Sequence, residues 1–189
     1  MLFLGRLSRK KGLDLMVEAF TQVAAQAPEA YLLIVGPDEE GWTERIRQSA
    51  CANNLQGRIK LTGLLLDEER LAAFADADLF ALTSFSENFG MSVAEAMAAG
   101  LPVLVSDQVG ISSAIKRAGA GAVVPLDVRA IADAMADLLR RNDLQAMGEL
   151  GRHLIRTRFS PDTVAQQMLD AYAEIIGRSG FYHRLQGGT

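Results

Sequence analysis

Short apolar runs alternate with longer amphipathic stretches along most of this chain. The runs are continuous, which is typical of strands in a parallel sheet that helices cover on both faces. They predict strands at residues 2–4, 31–35, 59–61, 79–82, 102–105 and 122–124. The stretches between them predict helices at residues 13–26, 42–52, 68–74, 89–99 and 112–116.

Strands and helices that alternate in this way imply right-handed crossovers and a doubly wound sheet. After residue 124 the pattern is helical, with helices predicted at residues 130–141, 144–158 and 163–176. Ser160 and Pro161 fit the N-cap and first position of the last helix. The predicted fold is therefore α/β: a Rossmann-like, doubly wound parallel sheet of about six strands, with helices on both faces and a C-terminal helical annex.

The chain length suits a single domain. Residues 1–177 are expected to form that domain, and residues 178–189 are expected to form a flexible tail. The first predicted strand begins almost at the start of the chain, as in a domain taken from a longer protein. A natural short reading frame would begin in the same way, and the sequence leaves both explanations open.

The composition fits a soluble globular protein, with 49% hydrophobic residues, 22% charged residues and a net charge of −4. It excludes a disordered chain, and the acidic balance argues against nucleic acid as a partner. The one cysteine, Cys51, cannot supply a disulfide framework and indicates a reducing compartment. No apolar run approaches the roughly 20 residues of a transmembrane helix. We therefore expect a cytoplasmic protein without a transmembrane segment, with peripheral membrane association of a full-length form left open.

A basic segment, residues 5–12 (Gly-Arg-Leu-Ser-Arg-Lys-Lys-Gly), follows the first strand and precedes the first helix. It therefore lies at the carboxyl edge of the sheet, where open α/β sheets bind ligands. Four of its residues are cationic, and together with the N–H groups of the next helix start they favour an anion. The spacing is not that of a Walker A loop. Taken alone, a solvated basic turn is the simpler interpretation.

Two glutamates, Glu87 and Glu95, lie around the start of the predicted helix 89–99, which is apolar almost all round. A carboxylate in apolar surroundings is costly without a partner. The partner could be a cation such as Arg6 or Lys11. It could also be a ligand, because a carboxylate accepts hydrogen bonds from two neighbouring hydroxyls. Structural ion pairs are the alternative for either glutamate.

The start of this helix is also suited to an anion. The N–H groups of Phe89, Gly90 and Met91 are expected to point out of the helix start, where negative charge is favoured. A glycine at position 90 would let a ligand approach the backbone closely.

Together these motifs resemble the nucleotide-sugar half of the retaining GT-B glycosyltransferases, in particular the large family-4 group. The family pattern of Gly-Arg-Leu, three residues and Lys-Gly is met at residues 5–12. Its two glutamates, separated by seven residues that include Phe-Gly, are met by Glu87 and Glu95. Its Gly-x-Pro-Val is met at residues 100–103, and the match runs from Leu2 to Ile176. The resemblance implies one half of a GT-B architecture.

The resemblance also implies roles for the matched positions. Arg6 and Lys11 would hold the donor diphosphate and stabilise it as the leaving group. Glu87 would contact the hydroxyls of the donor sugar, and Glu95 would bind the ribose hydroxyls. Further contacts, largely through the main chain, are implied for Gly5, Leu64, Phe89, Gly90 and Met91. No metal or other cofactor is implied, because the cations do what Mg²⁺ does elsewhere.

The resulting hypothesis is the donor-binding half of a retaining glycosyltransferase, which transfers a sugar from a nucleoside-diphosphate sugar to a hydroxyl acceptor. The alternatives are an epimerase-type GT-B domain and a non-catalytic nucleotide-sugar-binding protein. A NAD-dependent oxidoreductase is disfavoured, because Gly119-Ala120-Gly121 precedes a strand and no third glycine follows at the required spacing.

Two departures from the family pattern matter. Many relatives carry Gly-Gly-x-x-Glu where this chain has Val-Gly-Ile-Ser-Ser at residues 109–113, so that glutamate is absent. The N-terminal half, which supplies the acceptor site in the family, is also absent, so we expect the chain to bind its donor without transferring the sugar. The expected partners are a nucleotide sugar, that N-terminal domain and a hydroxyl acceptor of unknown identity.

Overall fold

Six parallel strands form the sheet, in a computed structural model that describes residues 1–178. The strands are β1 (Leu2–Leu4), β2 (Leu32–Val35), β3 (Ile59–Gly63), β4 (Phe80–Leu82), β5 (Val103–Ser106) and β6 (Gly121–Val124). Their order across the sheet is β3-β2-β1-β4-β5-β6, which is the order of a dinucleotide-binding Rossmann sheet. The predicted Rossmann-like sheet is confirmed, and each strand lies within two residues of its predicted bounds.

Helices cover both faces of the sheet, as right-handed crossovers require. Within the described residues they are α1 (Leu13–Ala24), α2 (Trp42–Ala52), α3 (Asp67–Ala75), α4 (Met91–Ala99), α5 (Ser112–Ala118), α6 (Val128–Leu139), α7 (Leu144–Arg158) and α8 (Pro161–Arg178). Helix α1 packs against α6, and α7 packs against α4 and α5. The start of α8 agrees with its predicted cap, because Ser160 Oγ accepts a hydrogen bond from the N–H of Thr163 at 3.2 Å. Residues 179–189, nearly all of the predicted tail, lie outside the described residues.

The core is built on the two central strands. Leu2 and Phe3 of β1, and Phe80 and Leu82 of β4, have no exposed surface. Successive side chains of a strand point to opposite faces, so neighbouring residues are buried together only where both faces are covered. This double coverage explains why the apolar runs of the sequence are continuous.

The annex helix α7 holds both ends of α4. Arg152 donates to two carbonyl groups in the last turn of α4, at 3.3 and 2.8 Å, and a cation at that end complements the helix dipole. Gly148 lies against Gly100, so that a Cβ atom at position 148 would come within 1.8 Å of the Gly100 carbonyl oxygen. Just before α4, the ring of Phe89 makes an edge contact with Phe159, at the end of α7, with centroids 5.3 Å apart.

Asp38 supplies the acceptor for the start of α2. Its carboxylate accepts hydrogen bonds from the N–H groups of Glu40, Trp42 and Thr43, at 3.1, 2.9 and 2.7 Å. The bond from Thr43 makes the largest contribution, and together these bonds lower the pKa of Asp38 to about 2.

We expect Asp38→Ala to lower the free energy of unfolding by about 1 kcal/mol at neutral pH, the usual cost of losing a capping acceptor. Since the folded-state pKa lies below its ordinary value of 3.8, the wild-type advantage is complete above that value and is lost as the pH falls towards about 2. Urea unfolding of both proteins across this range measures the difference. Asp133→Ala, at an exposed position of α6, is the control. A loss that does not shrink with falling pH would contradict the assignment.

Candidate functional site

The basic segment and the loop after β4 meet at the carboxyl edge of the sheet. Strands β1 and β4 are neighbours although they are not consecutive, which makes this the switch point where open α/β sheets bind ligands. The Thr83 hydroxyl donates to the Gly12 carbonyl at 2.9 Å, and the Phe85 N–H donates to the Lys10 carbonyl at 2.8 Å. Beside them, Ser84 Oγ is the buried side-chain polar atom that lacks a hydrogen-bond partner within residues 1–178.

Gly12 makes this close approach possible. Its backbone is left-handed, with φ of 62°, and a Cβ atom at this position would lie 2.1 Å from the Thr83 carbonyl oxygen. No other amino acid fits that space without moving one of the two loops. A 3-10 turn, Arg9–Lys11, leads into Gly12; the apolar pattern did not predict this turn, because it contains only cations.

Lys11 and Glu87 form the central ion pair of the site. They come from the loops after β1 and β4, and their side chains are only 19% and 21% exposed. The main chain of Glu87 is also fixed: its N–H donates to the Gln108 carbonyl at 3.2 Å, and its carbonyl accepts from the Gly110 N–H at 2.8 Å. The loop after β5, where residues 109–113 depart from the expected Gly-Gly-x-x-Glu pattern, therefore supports Glu87 through its backbone. Lys11 is one of the two cations that the sequence suggested as a partner.

Glu95 pairs with a cation that the sequence did not suggest. It lies in the second turn of α4 and contacts Arg70 of α3, with side-chain exposures of 36% and 33%. The suggested cations, Arg6 and Lys11, have other carboxylate partners. The packing of α3 beside α4 is a tertiary feature, so no local pattern could have indicated Arg70.

The basic segment is flanked by an acidic loop that follows β2. The Arg6 guanidinium lies 3.5 Å from the Glu39 carboxylate, and both side chains are 64% exposed. The Arg9 N–H donates to the Glu40 carboxylate at 2.9 Å, and this bond lowers the pKa of Glu40. Two of the four cations therefore lie next to a carboxylate: Arg6 lies near Glu39, and Lys11 contacts Glu87.

Helix α4 begins at Met91, two residues later than predicted, with Gly90 as its N-cap. The Ala94 N–H donates to the Gly90 carbonyl at 3.0 Å, so the N–H groups of residues 91–93 are those that the helix itself leaves open. Gly90 is buried with φ of 97°, and a Cβ atom there would lie 3.0 Å from Val109. Its backbone and packing therefore already require glycine.

The remaining predicted contacts also lie at this edge. A Cβ atom on Gly5 would be 3.9 Å from Lys11 Cε, so Gly5 adjoins the central pair. Leu64 and Met91 are 59% and 65% exposed, and Phe89 is half-buried. Their roles as ligand contacts stay predictions.

The opposite, amino edge of the sheet contains a cavity of about 580 Å³, lined by Met1, Tyr31, Asp78 and neighbouring residues. None of the predicted site residues lines it. Across residues 1–178, no three His, Cys, Asp or Glu side chains are grouped as metal ligands. In the same part of the chain, every helix is too short or too polar to cross a bilayer. Independence from metal stays a prediction.

Comparison with known proteins identifies the family. The model of "Glycosyl transferases group 1" matches residues 1–153. The chain belongs to the group 1 glycosyltransferases. The resemblance drawn from the motifs is thereby confirmed at the level of the family.

Individual relatives match nearly the whole length of this chain. Mannosylfructose-phosphate synthase of Agrobacterium fabrum is 33% identical over 177 residues, which cover 89% of this chain and 39% of that protein. Phosphatidyl-myo-inositol mannosyltransferase of Mycobacterium leprae is 33% identical over 183 residues, which cover 95% of this chain and 47% of that protein. The chain thus spans less than half the length of either relative.

A solved structure shows the same fold. Anabaena HepE, in a crystal structure with UDP and glucose, has a TM-score of 0.80 and 23% identity, over 92% of this chain and 47% of that chain. At this identity the likeness shows the fold alone.

We expect Gly12→Ala to lower the free energy of unfolding by more than Gly41→Ala does. Both glycines are left-handed, with φ of 62° and 73°, so each variant should lose about 1–2 kcal/mol from backbone strain. Only position 12 adds a clash, because a Cβ atom at position 41 meets nothing within 4 Å. Urea unfolding of the two variants measures the difference. Equal losses would show that the Thr83 contact does not constrain the loops.

Proposed function

We propose that this glycosyltransferase chain binds a nucleoside-diphosphate sugar and supplies the donor half of a retaining transfer to a hydroxyl acceptor. The observation that carries the proposal is the Lys11–Glu87 ion pair, which lies at the switch point beside the start of α4. The relatives' names, a synthase of mannosylfructose phosphate and a mannosyltransferase, support sugar transfer over epimerisation. The complex of HepE with UDP and glucose supports a nucleotide sugar as the donor.

The donor diphosphate would bind between Lys11 and the start of α4. The Lys11 ammonium and the N–H groups of residues 91–93 offer positive charge and fixed donors, which would stabilise the diphosphate as it leaves the sugar. Arg6 would add a second cation. Its contact with Glu39 is exposed and long, and such pairs contribute only about 0–1 kcal/mol, so phosphate could replace Glu39 at little cost.

The two glutamates would bind the neutral parts of the donor. A carboxylate has about four acceptor sites, so each glutamate can stay paired with its cation and still accept hydrogen bonds from hydroxyls. Glu87 would accept from the donor sugar, and Glu95 would accept from the ribose. Catalysis would then rest on positioning of the reactants and on stabilisation of the leaving diphosphate.

As the GT-B resemblance implies, the acceptor would bind to the other half of the family's architecture. We therefore include in the proposal that this chain alone holds the donor without transferring the sugar, because a reactant hydroxyl that is not positioned loses most of the benefit of binding. A non-catalytic binding protein would use the same contacts to the donor, and an assay of sugar transfer by the full-length protein would separate it from the transferase.

We expect the chain to bind a nucleoside diphosphate in the presence of EDTA, with an affinity that falls as salt rises. Lys11→Met should weaken binding by about tenfold or more, since a charge-assisted hydrogen bond contributes about 1.5–3 kcal/mol. Lys10→Met, which removes an exposed neighbouring cation, is the matched control. Calorimetry with UDP, GDP and ADP measures these affinities. Binding that disappears with chelator and returns with Mg²⁺ would contradict the proposal.

We expect Glu95→Gln and Glu87→Gln to affect different ligands. Glu95→Gln should weaken binding of the nucleoside diphosphate and of the nucleotide sugar alike, because both contain the ribose. Glu87→Gln should weaken mainly the nucleotide sugar, by about tenfold for one charge-assisted hydrogen bond. Titration of each variant with both ligands separates the two roles. Equal losses for both ligands in both variants would mean that the glutamates are structural.

A further inference from the structure

Arg70 is a charged residue at the site that neither the motifs nor the family resemblance explain. It lies on α3 and contacts the carboxylate of Glu95, the residue proposed to bind the ribose. The contact uses one guanidinium nitrogen and one carboxylate oxygen, Oε2. It joins helices that follow two different strands, β3 and β4. The two residues therefore meet because α3 and α4 pack together, and not because they are close in the chain.

The guanidinium of Arg70 also stacks on an aromatic ring, that of Phe74. Its Cζ atom lies 5.6 Å from the ring centroid of Phe74, one turn further along α3. Phe74 is buried, and its ring lies 6.1 Å from that of Phe80 in β4. An arginine that is stacked on an aromatic face and bonded to a carboxylate has little freedom left. A chain of contacts therefore fixes Glu95: Phe74 packs on β4, Arg70 stacks on Phe74, and Arg70 holds the carboxylate of Glu95.

This support suits a carboxylate that must meet two hydroxyls at once. The 2′- and 3′-hydroxyls of a ribose are adjacent, and a carboxylate that accepts from both must present its oxygens in a fixed direction. With Oε2 held by Arg70, Oε1 and the remaining acceptor positions of Oε2 face a defined direction. Ordering the side chain before the ligand arrives lowers the cost of binding.

We propose that Arg70 is a positioning residue, which presents Glu95 to the paired hydroxyls of a ribonucleotide and so makes the site select ribonucleotides over 2′-deoxyribonucleotides. The proposal rests on the proposed function, because it takes Glu95 as the ribose contact. Arg70 differs from Lys11 in this role: Lys11 would bind the phosphates directly, whereas Arg70 acts through Glu95.

The test compares UDP with 2′-deoxy-UDP, and GDP with 2′-deoxy-GDP, by calorimetry. Arg70→Met keeps an unbranched chain against Phe74 but removes the donors. Arg70→Met should weaken the binding of UDP or GDP by about tenfold, which corresponds to one charge-assisted hydrogen bond between Glu95 and the ribose. It should change the binding of the 2′-deoxy ligands much less. The ratio of the affinity for the ribonucleotide to the affinity for its 2′-deoxy form should therefore approach one. Arg70→Lys should restore part of the ratio, because it keeps a donor for Glu95.

Two controls separate positioning from a general structural effect. Arg45→Met removes another arginine that stacks on an aromatic ring, 5.2 Å from the Trp42 centroid, and should leave the ratio unchanged. In a Glu95→Gln background, Arg70→Met should cause little further loss, since the residue through which it acts is already altered. Thermal unfolding of each variant checks that it is folded.

Three results would overturn the role of Arg70. They are an unchanged ribose-to-deoxyribose ratio in Arg70→Met and Arg70→Lys, tighter UDP or GDP binding without the arginine, and full additivity with Glu95→Gln. The failure of the proposed function is a different result: wild-type protein would then bind none of the four ligands, and both proposals would fall together.

Discussion

The close approach of Gly12 to the end of β4 is the constraint on which the site depends. Strands β1 and β4 lie side by side but are separated by most of the first half of the chain. Their following loops must share one small area at the carboxyl edge. A residue without a Cβ atom lets the basic segment lie directly on the Thr83 carbonyl, and this places Lys11 in contact with Glu87. A side chain at position 12 would separate the loops and, with them, the charges.

Charge in the site is arranged as pairs. Lys11 contacts Glu87, Arg70 contacts Glu95, and Arg6 neighbours Glu39, within a protein of net charge −4. Pairing makes partly buried charges tolerable, because an isolated charge would lose its hydration without compensation. It also leaves both donors and acceptors available on one surface. Such a surface suits a ligand that combines anionic phosphates with neutral hydroxyls better than it suits a simple anion.

The sheet could be predicted because burial on both faces leaves continuous apolar runs, and β1 and β4 show such runs clearly. The meeting of Lys11 with Glu87 was also within reach, since both follow strands that end at the same edge. The contacts of Arg70 and Arg6 were not, because each depends on which helix or loop lies alongside. From the sequence, the glycine at position 90 suggests room for a ligand beside the backbone, whereas in the structure its positive φ and the neighbouring Val109 already require a glycine.

The contacts of α7 with both ends of α4 mean that the C-terminal annex helps to align the site residues on α4. Helix α4 has nine residues and is therefore only about 13 Å long, so it moves as one piece. Arg152 and Gly148 fix one end of it, and the Phe159 ring abuts the residues just before the other. A shift of α7 would thus carry Glu95 and the open N–H groups with it, and hydrogen bonds tolerate only a few tenths of an ångström. The annex helix α7 thus contributes no predicted contact to the ligand, yet its packing sets the position and direction of the groups on α4 that do.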